Sequence, residues 1–118
     1  MRRMLVRNET RNSVLAELTD VADSSAKRRK GLLGRDSLPI GQALWIVPSA
    51  SIHTYGMRFP IDVLYLDRNK RVRKLRRAMP PWRVSLCLSA HFVLELPAGI
   101  IEQTNTQPGD QLILSDVI

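Results

Sequence analysis

Cysteine is almost absent from this chain. Cys87 is the only one, so no intramolecular disulfide can form and no disulfide-linked partner is expected. That usage suits a reducing compartment. No window approaches the roughly 20 apolar residues of a bilayer-spanning helix. The amino terminus, Met1-Arg2-Arg3-Met4-Leu5-Val6-Arg7-Asn8, is charged but lacks the apolar stretch of a signal peptide. The expectation is a cytoplasmic protein with no membrane partner. Aromatic residues make up 5% of the chain, so Leu, Val and Ile must fill the interior. Catalytic signatures are missing too. Gly31 and Gly34 lack the following Lys-Ser or Lys-Thr of a phosphate loop, although Arg35 beside them could hold an anion. His53 and His91 are the only histidines, and with Cys87 they do not make a zinc set. No catalytic residue, metal or cofactor is assigned.

What is present is the material of one folded domain. At 118 residues the chain is too short for two independent cores, and 44% hydrophobic residues suffice to fill one. A single domain therefore covers residues 1–118. The net charge of +7 and pI near 10.5 favour anionic partners, among them nucleic acid, anionic lipid and phosphorylated small molecules.

Short β patterns dominate. Met4 to Val6 and Ser13 to Thr19 read as a hairpin, with Val14, Ala16 and Leu18 on one face and Leu15 and Glu17 on the other. Ala43 to Val47, Ile61 to Leu66, Arg71 to Leu75, Val93 to Leu96 and Gln111 to Leu114 read as further strands, separated by Pro, Gly and Asn punctuation. Ile100 to Asn105 reads as a turn or short helix. Between the first strands, Asp23 or Ser24 can cap a ragged helix that turns Ala26, Leu32 and Leu33 inward and ends at Gly34. Cys87, Leu86 and Leu88 read as apolar packing before the Val93 strand. The expected fold is mainly β, a compact sandwich or jelly-roll-like barrel with one short helix.

Four blocks carry a family resemblance: Arg29-Lys30-Gly31-Leu32-Leu33-Gly34-Arg35, Ser51 to Val63 (SIHTYGMRFPIDV), Val93-Leu94-Glu95-Leu96-Pro97-Ala98-Gly99, and Pro108-Gly109-Asp110. In this order and spacing the chain resembles the domain of unknown function 192 family, also called uncharacterised protein family 0127, over about residues 22–114. The resemblance implies a compact, mainly β fold of jelly-roll or barrel type and implies no activity. A cysteine often precedes the His-Thr block in this branch. Here the stretch reads Pro48-Ser49-Ala50-Ser51, which leaves chemistry at that thiol without its residue.

His53, with Thr54, Arg58 and Asp62, forms a polar block ahead of a core strand, the kind of segment that can line a pocket. Asp62 could orient the His53 imidazole. Glu95, between Leu94 and Leu96, either points to water or is a buried acid paired with Arg35, Arg58 or His53. One reading makes His53 and Asp62 a buried hydrogen-bond network that fixes a loop, with Arg35 or Arg58 satisfying Asp62. The other makes His53, Thr54, Arg58, Asp62, Glu95 and Arg35 a pocket for a small polar or anionic ligand in a noncatalytic binding module. A hydrolase using Asp62 or Glu95 with His53 is one alternative, in which two carboxylates would flank a cleft. Lys70, Arg71, Arg73, Lys74, Arg76 and Arg77, with Trp82 beyond, suggest another: a strip that contacts successive phosphates while Trp82 stacks on a base. Charges protecting an edge strand would give the same pattern.

Overall fold

The computed structural model describes residues 2–117, which form nine strands and two short helices. In chain order these are β1 (Arg3–Asn8), β2 (Ser13–Ala22), α1 (Ser25–Lys30), β3 (Gln42–Ile46), β4 (Ser51–His53), β5 (Ile61–Leu66), β6 (Val72–Met79), β7 (Val84–Leu86), β8 (Phe92–Pro97), α2 (Ile100–Thr104) and β9 (Leu112–Asp116). Seven strands form one strongly curled, half-barrel sheet in the order β6-β5-β8-β3-β2-β1-β9. The pair β4-β7 forms a separate ribbon.

Curling follows from breaks in register. The β1-β2 and β5-β6 pairings each carry irregularities, and bulges bend and twist a sheet locally. The two ends of the sheet consequently meet at one corner. Arg71 bridges to Gln111, the Val72 amide donates to the Asp110 carbonyl at 2.9 Å, and the Leu112 amide donates to Lys70 at 3.0 Å. Asp110 secures the same corner with its side chain, which accepts from Asn8 Nδ2, Arg11 Nε and the Gln107 amide.

The central strands are buried on both faces, so β5 and β8 read as near-continuous apolar runs rather than alternating ones. One face carries a core that includes Val6, Leu64, Leu94, Leu96, Ile100 and Ile101. The other carries Leu44, Ile46, Val63, Tyr65, Met79 and Val93, with Ile52, Phe59 and Cys87 against it. Thus α2 packs on the first face, while the turn after α1 and the β4-β7 ribbon cover the second.

The mainly β fold agrees with the sequence reading, and its local details differ. There are two helices, and the β4-β7 ribbon has no counterpart among the expected strands. In β2, Leu15 and Ala16 are buried while Val14 and Leu18 face out. The amides of Glu17 and Leu18 both donate to the Gly41 carbonyl at 2.9 Å, so the chain bulges there and strict alternation is lost. Helix α1 is capped by Ser24, whose hydroxyl accepts from the Lys27 amide, and it stops at Gly31, not Gly34. Ala26 is exposed; only the following turn sends Leu32 into the core. Leu86 and Leu88 point outward, and only Cys87 of that trio reaches the core.

Candidate functional site

The register of β5 against β8 decides the fate of the two central carboxylates. Asp62 lies opposite Leu96 and Val63 opposite Glu95. Residues directly opposite share a face and successive residues alternate, so Asp62 and Glu95 project from opposite faces of the sheet. They do not flank one cleft, and a two-carboxylate hydrolytic arrangement is absent.

Asp62 faces α2. Its Oδ2 accepts from the amides of Gly99 at 3.1 Å and Ile101 at 2.8 Å. Its Oδ1 accepts from the Ala78 amide at 2.8 Å. Gly99 has a φ of 101° and Ala78 one of 46°, so the carboxylate holds two left-handed bends that would otherwise leave amides unpaired. The partners of Asp62 are therefore backbone groups, not His53, Arg35 or Arg58.

Glu95 faces the other way, into an open cavity of about 570 Å³. Apolar walls come from Leu32, Leu33, Ile46, Ile52 and Met57; Arg28, Arg29, Lys30, Ser49 and His53 supply polar edges. Glu95 is only 4% exposed. Among the described residues it has no hydrogen-bond donor and no ion pair within 4.0 Å. Burial pushes its carboxyl up to about 7, opposed only by the more distant Arg35 guanidinium. Ordinary strand alternation placed an acid at a core position, and the cavity is what gives it access to solvent.

The cationic edge comes from α1. Arg28 is held by the Val47 carbonyl at 3.1 Å and by Ser25 Oγ. Arg29 and Lys30 have no acidic partner among the described residues. Gly31, with a φ of 48°, turns the chain out of the helix directly beside them and into the cavity wall.

Of the expected residues, the structure brings His53 and Glu95 to one cavity. His53 is exposed, and its ring stacks on Tyr55 with centroids 5.3 Å apart. Thr54 is buried and structural in its contacts: Oγ1 donates to the Pro80 carbonyl at 2.7 Å and accepts from the Arg83 amide at 2.9 Å. Arg58 pairs with Asp36 at the surface. Arg35 lies 3.5 Å from Asp20 and lines a smaller neighbouring cleft. The sequence reading missed Arg28, Arg29 and Lys30 as cavity residues, although their block was noted. Their signal was a run of cations ended by a glycine, which only the folded crossover places opposite β8.

The basic strip does not form one surface. Lys74 pairs with Tyr65 and Arg76 with Val63, which puts both on the ribbon side of edge strand β6. Arg73 and Arg77 fall at the register shifts, off that alternation. Lys74 Nζ donates to the Leu86 carbonyl at 2.7 Å and lies over the Tyr65 ring. Lys70 lies over Phe92, and Arg71 donates to the Gly109 carbonyl at 3.1 Å. Trp82, with a φ of 67°, is exposed and stands 6.0 Å from Tyr55.

The chain is similar to several known proteins. A UPF0127 protein of Thermococcus sibiricus is 33% identical over 111 residues, covering 89% of this chain and 71% of its own. The UPF0127 protein PH1112 of Pyrococcus horikoshii is 32% identical over 114 residues, covering 92% and 96%. A crystal structure of a protein of unknown function from Novosphingobium aromaticivorans superposes with a TM-score of 0.81 at 21% identity, over 94% of this chain and 83% of that one. Residues 6–114 match the DUF192 family, described as an uncharacterized ACR, and the chain belongs to that family.

Proposed function

We propose that the protein is a noncatalytic binding module whose cavity takes a small polar ligand carrying an anionic group. One observation carries this reading: a carboxyl that is nearly inaccessible elsewhere lines the cavity with no donor of its own. The Glu95 oxygens are not among the fully buried side-chain atoms that lack a partner, so they face the open space of the cavity. A hydroxyl or ammonium group of a ligand there would donate to them directly. Arg29 and Lys30, which line the same cavity and have no acidic partner among the described residues, would meet a carboxylate or phosphate of the ligand. His53 would close the side of the pocket. The pairing of donor-bearing and anionic ends selects hydroxy acids, amino acids and sugar phosphates over purely apolar molecules.

The support for binding over catalysis is geometric. Asp62 is committed to backbone amides on the far face, and His53 has no carboxylate partner among the described residues. His53 and Glu95 line one cavity but share no hydrogen bond among the described residues, which favours binding over a proton relay.

The test is a thermal-shift screen with hydroxy acids, amino acids and sugar phosphates, followed by calorimetric titration of the compound that stabilises most. Glu95→Gln and Arg29→Ala should each weaken that compound at least tenfold. A panel that stabilises nothing, or a compound whose affinity ignores both changes, would overturn the reading.

A further inference from the structure

The strand β7 is built inside out. A surface strand ordinarily turns its apolar alternate residues to the core. Here Ser85 is buried, while Val84 is 54% exposed and Leu86 50% exposed. Trp82 at 65% and Leu88 at 88% continue the same two-residue period at either flank. Only Val84–Leu86 is strand; Trp82, in a bend with a φ of 67°, and Leu88, in a turn, add exposed apolar side chains at its two ends. Tyr55 extends it sideways from Trp82 towards the stacked His53 ring. Scattered exposed apolar residues need no explanation, but a contiguous row does.

Hydrogen bonds brace the row at its Trp82 end, and cations lie on the neighbouring segments. Thr54 fixes the two aromatic loops to each other: its amide donates to Arg83, the Trp82 amide donates to its carbonyl, and the Arg83 amide donates to its hydroxyl. Lys74 ties β6 to the ribbon through the Leu86 carbonyl. Arg76 shares that side of β6, and Arg83 follows Trp82. No Asp or Glu occurs between Asp67 and Glu95, or between Asp36 and Asp62. The two chain segments that carry the row therefore contain no acid of their own.

We infer that this face docks on the surface of an anionic lipid bilayer. Trp82 and Tyr55 sit at the depth of the headgroups, Val84, Leu86 and Leu88 enter the boundary of the acyl chains, and Arg76 and Arg83 meet lipid phosphates. The inference is independent of the cavity reading. A second copy of the chain is a poor occupant, because a twofold contact would set Lys74, Arg76 and Arg83 against themselves with no carboxylate between. A single-stranded nucleic acid would use the aromatics and cations but leaves the aliphatic row without a partner. Nor does it explain why the cationic strip is split at the register shifts. The bilayer uses all three kinds of side chain. Docking on a surface needs no membrane-spanning segment, and no helix among the described residues is long and apolar enough to be one.

The protein reports on this itself. It has two tryptophans, and Trp45 is buried, so a change in emission on binding comes from Trp82. Vesicles of phosphatidylglycerol and phosphatidylcholine should shift the emission to the blue and carry the protein down on sedimentation; pure phosphatidylcholine vesicles should do so at least tenfold less well. Leu86→Ser with Leu88→Ser should weaken partition at least tenfold. Both side chains are exposed, so the thermal melt should stay unchanged. Arg76→Gln with Arg83→Gln should abolish the preference for anionic lipid. No emission shift with either vesicle overturns the inference. Tighter binding to a thymidine oligonucleotide, indifferent to the leucine changes, would assign the face to nucleic acid. Lipid-free self-association lost on the leucine changes would assign it to a second copy.

Discussion

Asp62 and Glu95 sit one register step apart on adjacent strands, and their circumstances are opposite. Asp62 receives three backbone amides and pins α2 and the bend of β6 to the sheet. Glu95 receives none and lines a cavity. Both are buried acids inside apolar runs, and composition cannot tell them apart. The difference lies in which face of the sheet each side chain enters. On one face the turns after β8 and at the end of β6 bring amides that need an acceptor. On the other, the crossover after α1 leaves a space. An acid that is saturated belongs to the scaffold; one that is not belongs to whatever enters the space.

Removing the saturated acid should have the larger effect. Asp62→Ala would strand three amides at once, and hydrogen bonds to a charged group contribute about 1.5–3 kcal/mol each. Non-additivity reduces the sum, so a loss of about 4 kcal/mol in urea unfolding is expected. That is a large share of the ~5–15 kcal/mol typical of a domain. A loss below about 1 kcal/mol would mean that α2 is held by its apolar contacts alone, and the contrast would collapse.

Replacing the unsaturated acid should do the reverse, and only at some pH values. A carboxyl raised from 4.5 to about 7 on folding binds more protons in the folded state across that interval. Stability then falls as pH rises from about 4.5 to 7 and levels off above. The whole effect is on the order of 3 kcal/mol, an upper bound from the linkage relation. Glu95→Gln should flatten that slope: little difference from the parent near pH 4, and a more stable protein near pH 8. Urea midpoints across this range, with the amide variant as control, measure it. An unchanged slope would show that water in the cavity already satisfies the carboxylate.

The same contrast explains how much could be read from the residues alone. The strands β5, β8 and β9 were legible because Ile, Val and Leu clustered between Pro, Gly and Asp breaks. The expectation that Asp62 must be hydrogen-bonded also follows from its apolar neighbours, since a lone buried carboxylate is costly. Its partners were not legible: backbone amides carry no sequence signature, whereas Arg35, Arg58 and His53 do. The ribbon strand β7 was hidden for another reason. Trp82, Val84, Leu86 and Leu88 have the alternation of a half-buried strand, so their outward direction contradicts the ordinary rule. His53 and Glu95 are 42 positions apart, and only the β4-β7 cover over the sheet brings them to one cavity.

Arg58 offers the smallest effect and the sharpest check on that distinction. It shares the polar block of His53, yet its side chain is 62% exposed and its partner Asp36 is 87% exposed. An ion pair so open to water is screened and costs side-chain entropy, which leaves about 0–1 kcal/mol. Arg58→Ala should therefore change the unfolding free energy from urea titration by about 0.5 kcal/mol or less and leave the pH slope of Glu95 intact. It should also leave the affinity of any cavity ligand unchanged, because Arg58 is not among the lining residues. A tenfold loss of that affinity would show that the loop between β4 and β5 folds over the ligand and brings Arg58 with it. The cavity would then belong to the whole polar block and not to Glu95 and the α1 cations alone.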